Sequence, residues 1–393
     1  MSLIFHWFLP TYGDSRYIVG GGHGLPAGVA SGAREANLAY LGQIARSAEQ
    51  LGYVAALTPT GAWCEDAWIT DAILAGVTER LKFLVAFRPG LISPTLSAQM
   101  AATFQLHSSG RLLLNIVVGG EPHEQRAYGD FSNKEERYER ADEFLQIVKS
   151  LWQGGPVDFN GRYLRVEGAQ LPHPPNPVPP FYFGGSSVPA GPVAAKHADV
   201  YLTWGEPVAE VAAKIEWIRG LAKNAGRVVK FGIRLHVITR DTAEAAWAEA
   251  GRLLSAIDPE TIKAVQAGLA RSEAVGQKRM TELHGGSLEH LEIAPNLWAG
   301  FGLVRGGAGT ALVGSHAEVA ERIKDYAAVG ISEFVLSGVP HLEEAYWFAE
   351  GVLPLLQREG LWQHPRGGQA QAKPHTDIPF AAGTIRQSAA AAS

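Results

Sequence analysis

Short runs of apolar and β-branched residues alternate along this chain with longer stretches in which apolar residues return every third or fourth position. The short runs predict strands at 3–8, 54–57, 81–87, 112–118, 181–183, 200–204, 230–239 and 333–337. The longer stretches predict helices near 36–51, 65–78, 94–108, 135–152, 189–197, 208–225, 243–256, 316–329 and 342–358. Eight strands separated mostly by helices predict an α/β chain folded as a (β/α)8 TIM barrel. An open doubly wound sheet is the competing arrangement. No G-x-G-x-x-G follows the first strand, however, which runs into LPTYGD and a glycine-rich loop.

Three connections are longer than a barrel requires: 10–35, 153–180 and 258–313, the last and largest lying before the final strand. Insertions at strand ends commonly build the mouth of an active site. The barrel domain is expected to span 1–360. Residues 361–393, rich in Ala, Gly and Gln, have little to bury and are expected to form a flexible tail.

One strand breaks its own pattern. In FGIRLHVITR (231–240), Arg234 and His236 interrupt an apolar run two residues apart, so both side chains point to the same face. A buried salt bridge would explain Arg234, but its strand carries no carboxylate, and an unpaired buried guanidinium is costly. A bound anion is the simpler partner. The plainer reading of His236 is a core histidine held by hydrogen bonds.

Composition narrows the function. Of 393 residues, 46% are hydrophobic and 19% charged, which favours a large core and a modest surface. The net charge of −5, with no cluster of Lys or Arg, argues against a nucleic-acid or anionic-membrane partner. Cys64 is the only cysteine, so no internal disulfide or cysteine zinc cage can form, and no metal site is expected. The opening MSLIFHWFLPTYGD lacks a basic leader, and no apolar stretch approaches the ~20 residues of a membrane span. A cytoplasmic protein is expected.

Two glycine-rich segments carry candidate chemistry. FYFGGSS (181–187) delivers two glycines and two serines ahead of a helical stretch, as a phosphate cradle would, or as an ordinary turn and N-cap would. Its place after a late barrel strand favours phosphate. RGGAGTALVG (305–314) lacks the Gly-Lys of a P-loop and reads as a mobile lid whose Arg305 closes over an anion, or as a plain turn. Trp204 stands near the end of its strand, beside Arg234 and His236. Cys64, in GAWCEDAW, has no local sign of a paired base and reads as pocket wall, with Glu65 and Asp66 opening the next helix.

The segments WFLPTYGD, PTGAWCEDAW, RLKFLVAFRPG, GRLLLNIVVGG, RYERADEF, YFGGSS, YLTWGEP, FGIRLHVI, NLWAGFGLVRGGAGTALVG and SGVPHLEEAY occur in that order from residue 3 to about 357. Together they resemble the alkanesulfonate monooxygenases of the bacterial luciferase-like superfamily. The resemblance implies FMN, used as FMNH2 supplied by a separate NAD(P)H-dependent flavin reductase, with O2 as co-substrate. It implies oxidative C–S cleavage of an organosulfonate to sulfite and a carbonyl compound, by a homo-oligomer of two or four subunits. It places Trp204, Arg234, His236, Arg305 and Cys64 in the active site. Gly185, Ser186 and Ser187 would contact the flavin phosphate, and Tyr138, Val117, Val118 and Gly119 would line the flavin.

Three departures bear on substrate. Val339 stands where the family carries a tyrosine proposed as proton donor, and Val118 replaces a hydroxyl at the end of the fourth strand. The loop 19–32 is longer than the usual form. His6 and Trp63 could add polar and stacking contacts, so a bulky sulfosugar such as sulfoquinovose is expected, with a simple alkanesulfonate as the alternative. A deazaflavin-dependent dehydrogenase and a non-catalytic flavin binder are the remaining alternatives.

Overall fold

The protein is described here by a computed structural model, covering residues 2–18 and 34–366. In chain order its strands are β1 (Ile4–Phe8), β2 (Ala55–Thr58), β3 (Lys82–Phe87), β4 (Leu112–Ile116), β5 (Val157–Asn160), β6 (Arg165–Ala169) and β7 (Phe181–Phe183). They continue as β8 (Val200–Trp204), β9 (Lys230–Arg240), β10 (Glu292–Ala294), β11 (Leu297–Trp298), β12 (Ala311–Ser315) and β13 (Ile331–Ser337). Eight of these, β1, β2, β3, β4, β7, β8, β9 and β13, form a closed parallel barrel with helices outside: the expected (β/α)8 architecture.

The barrel strands read as continuous apolar runs because both faces are covered. Phe5, Trp7, Phe83, Val85, Phe183 and Ile233 face the surrounding helices, whereas Phe8, Leu57, Leu84, Leu113, Tyr182 and Leu202 fill the interior. Within that interior His6 bonds Glu333 at 3.1 Å, and the Tyr182 hydroxyl donates to the same Glu333 oxygen at 2.6 Å. His6 is therefore occupied inside the barrel. This corrects its expected place at the substrate.

Strand β9 has 11 residues because it serves two structures. Lys230–Arg234 pair with β8, and Phe231–His236 pair with β13. From His236 onward the strand leaves the barrel and pairs with β12, which belongs to the insertion. Arg234 and His236 thus stand where β9 exits.

The long connections hold more regular structure than the periodicity predicted. Residues 153–180 contain the hairpin β5–β6. The insertion folds into helices Pro259–Leu269 and Val275–His284, the hairpin β10–β11 and a 3-10 turn at Gly300–Leu303. Asp258, whose carboxylate accepts from the Thr261 amide, and Pro259 behind it are a readable helix start. Packing also runs past residue 360: Leu3 donates to the Leu361 carbonyl and Trp362 joins the core, which corrects the expected boundary. The loop 19–32 and the tail from 367 lie outside the described residues. Among the described residues no helix is long and apolar enough to cross a membrane.

Candidate active site

At the C-terminal mouth of the barrel, Arg234 and Arg305 are both buried, 7% and 5% exposed. Neither is in an ion pair among the described residues. Arg234 donates to the Leu235 carbonyl at 2.6 Å and to the Ser337 hydroxyl at 2.8 Å, with its guanidinium 4.6 Å from the centre of the Phe8 ring. Arg305 lies 4.7 Å from the centre of the Tyr12 ring. Aromatic faces soften the burial of a cation but do not neutralise it. Burial and the neighbouring Arg305 push Arg234 down to about 9, so it remains a cation at neutral pH. Two uncompensated guanidiniums cost several kcal/mol each by desolvation. An anion would offset that cost.

His236 is not a third cation. The Ala308 carbonyl must accept from Nε2–H at 3.1 Å. Nδ1 is then left to accept from the Ser337 hydroxyl at 2.7 Å, and that oxygen accepts from Arg234. Phe301 stacks on the imidazole at 4.1 Å. Burial, then Arg234 and Arg305, hold His236 well below the usual histidine range. The expected pair of positive groups is corrected to one guanidinium and one neutral imidazole that tethers it through Ser337.

These residues line a cavity of about 110 Å³ with Phe8, Leu57, Thr60, Trp63, Ala86 and Asn115. A second cavity, of about 180 Å³, adjoins it through shared walls at Asn115, Val117, Leu202 and Trp204. Its remaining lining includes Val118, Gly119, Tyr138, Gly185, Ser186 and Ser187, all the positions expected to hold a flavin. Tyr138 is presented by helix Lys134–Gln153, which opens with an Asn133–Glu136 capping box. At Gly185 a Cβ would come within 2.8 Å of Ala190, so the turn has no room for a side chain. The two serines precede the helix Ala190–His197 in this turn and do not cap it.

Among the residues lining this second cavity, the buried Gln277 Nε2 lacks a partner, and the buried Ser187 hydroxyl meets no group but the Tyr138 hydroxyl beside it. Groups left so are commonly satisfied by a ligand or water. A flavin, with a phosphate and a ring bearing several acceptors, fits this donor set. Insertion residues Ala274–Gln277 close the far side, with Gly276 seated so that a Cβ would meet the Trp204 ring at 3.0 Å.

Cys64 and Val339 fall outside both cavities. The Cys64 thiol bonds the Gly61 carbonyl at 3.5 Å, and burial pushes it up to about 12. It stays a thiol, which corrects its expected catalytic place. Val339 packs in the insertion's apolar cluster with Phe301 and Leu303, so it touches no substrate space. Sequence reasoning missed Tyr12, Asn115, Gln277 and Ser337. Ser337 meets His236 only through β13–β9 register. Tyr12, 7% exposed, sits in the turn after β1 between Arg305 and Trp63, whose ring is 5.2 Å away.

The family model for luciferase-like monooxygenases matches residues 5–333. Among solved structures, a riboflavin lyase (RcaE) superposes with a TM-score of 0.78 at 21% identity, covering 93% of each chain. The long-chain alkane monooxygenase LadA gives 0.74 at 21% identity, covering 92% of this chain and 93% of its own. DmoA from Hyphomicrobium sulfonivorans gives 0.75 at 20% identity, covering 92% and 90%. At these identities the likeness is one of fold.

Proposed function

The chain belongs to the luciferase-like monooxygenase family, and on that footing we propose that it cleaves the C–S bond of an organosulfonate, using FMNH2 from a separate reductase and O2. The observation that carries this reading is the pair of buried guanidiniums, Arg234 and Arg305, without a carboxylate partner among the described residues, beside a cavity that suits a flavin. A sulfonate is a permanent anion whose three oxygens accept charge-assisted hydrogen bonds, each worth about 1.5–3 kcal/mol in a dry site.

In balance, FMNH2, O2 and R–CH2–SO3⁻ give FMN, R–CHO, SO3²⁻, H2O and H⁺. Reduced FMN, when bound, supplies the two electrons that activate O2. The chain's own residues do the rest. Ser186, Ser187 and Tyr138 would hold the cofactor, and Trp204 stands in the wall common to both cavities. Arg234, held by Ser337 and His236, and Arg305 would grip the sulfonate, while the insertion excludes water. Tyr12 offers a phenol O–H near Arg305 where Val339 provides none.

His6 no longer supports a sulfosugar substrate, and the walls Phe8, Leu57, Ala86 and Leu202 suit an alkyl substituent. Trp63, Thr60 and Asn115 could still take a sugar ring. A panel of sulfonates, including octanesulfonate and sulfoquinovose, supplied with FMNH2 and O2 decides between them by sulfite release. No sulfite from any member would sink the proposal. Turnover without O2 would point to a deazaflavin-type hydride transfer instead. A homo-oligomer is supported by exposed Ile69, Ile73 and Leu96 around an apolar groove, and light scattering tests it.

A further inference from the structure

Gln277, the third residue of the insertion helix Val275–His284, is 1% exposed, and its two amide atoms face different tasks. Its Oε1 accepts from the Gly307 backbone N–H at 2.8 Å. That N–H can only donate, so the oxygen must face Gly307, and the orientation of the amide is settled. Nε2 then points away from Gly307 and finds no partner, while Gln277 lines the larger cavity. Gly307 itself belongs to the Arg305–Ala308 segment that walls the anion cavity, and Ala308 accepts from His236.

We infer that Gln277 is a positioning residue through which flavin occupancy tightens the anion site, its amide nitrogen donating to the cofactor and its oxygen fixing the loop that carries Arg305. The inference rests on the larger cavity being the flavin site. With that cavity filled, the Nε2 donor is satisfied, the amide is locked, and Gly307 is held at the position that keeps Arg305 over the anion. With it empty, the Oε1–Gly307 bond still forms, but nothing holds Nε2, so the tie on the loop is weaker. Coupling of this kind is reciprocal, so an anion must strengthen flavin binding by the same factor.

The test uses the full chain, FMN photoreduced under argon, and inorganic sulfate as the anion probe. Flavin binding is followed by tryptophan quenching and sulfate binding by calorimetry. Sulfate should bind the wild type about tenfold tighter with reduced FMN present than without it. In Gln277→Leu that enhancement should fall below about twofold, with flavin affinity down about threefold or more and sulfate affinity in the absence of flavin falling by no more than about threefold. Gln277→Glu keeps an acceptor for Gly307 but removes the donor, and should lose flavin affinity in the same way. Full enhancement in both variants would overturn the inference and leave Nε2 to an ordered water. Failure of the wild type to bind reduced FMN would overturn it together with the cofactor reading. Coupling without sulfite release from any sulfonate would sink the proposed reaction and leave the coupling standing.

Discussion

The Arg305 guanidinium lies 4.7 Å from the centre of the Tyr12 ring, a contact that joins the loop after β1 to the insertion across the mouth of the barrel. Burial raises the Tyr12 phenol, and Arg305, then Arg234, pull it back, with Asp14 and His341 the other charged or titratable neighbours. A neutral O–H is thereby kept beside two cations. Tyr12→Phe preserves the ring under Arg305 and removes only the hydroxyl. Sulfite release should fall about a hundredfold if that hydroxyl donates the proton. A thermal melt of the variant should match the wild type. Unchanged turnover would assign the proton to another group.

Arg234→Met removes a buried charge that has no counter-ion among the described residues. It should raise KM for the sulfonate by roughly ten- to a hundredfold, the 1.5–3 kcal/mol of a charge-assisted bond, and leave flavin affinity within about threefold. Because the lost charge was uncompensated, the ligand-free variant should also melt at a higher temperature. Equal loss of flavin and sulfonate binding would show that Arg234 holds the fold.

Arg305→Ala should still bind reduced FMN, since Arg305 lines only the anion cavity. Without it the site is left open to water, and flavin oxidation should yield hydrogen peroxide at the expense of sulfite. Measuring peroxide and sulfite per flavin oxidised gives the answer directly. A fully coupled variant would remove Arg305 from the site.

His236 and His341 are buried, and both are held below the ordinary histidine value of 6.5. Desolvation is the main cause for each, although Asp14 pulls His341 upward. The unfolded chain therefore takes up protons below that pH which the folded chain refuses. Stability present above 6.5 should be lost as pH falls, at about 1.4 kcal/mol per pH unit for each such histidine. Melts between pH 7.5 and 5 check this, and His236→Asn should flatten the slope.

The Cys64 thiol, pushed up to about 12 by burial, is ionised to only about one part in ten thousand at pH 8. Iodoacetamide should label it far more slowly than a free thiol, and Cys64→Ser should retain sulfite release within about threefold. Rapid inactivation by alkylation would restore a direct role for it.

All eight barrel strands were legible because a strand buried on both faces must be apolar throughout, and that demand is local. The shared face of Arg234 and His236 was legible for the same reason, since alternation of side chains needs no knowledge of the rest of the chain. The candidate flavin positions came from the resemblance, and the fold gathers all of them around one cavity.

What no local pattern contains is which distant groups meet. His236 looks like a cation in its own strand, but burial, then Arg234 and the Arg305 that arrives from the insertion, keep it neutral, and Ser337 reaches it by strand register. His6 looks like a mouth residue, but its partner Glu333 lies on the neighbouring β13 and fixes it inside the barrel. Periodicity along the chain determines which residues are buried. Charge state and hydrogen bonding depend on separations in space, and only closure of the barrel under its insertion sets those.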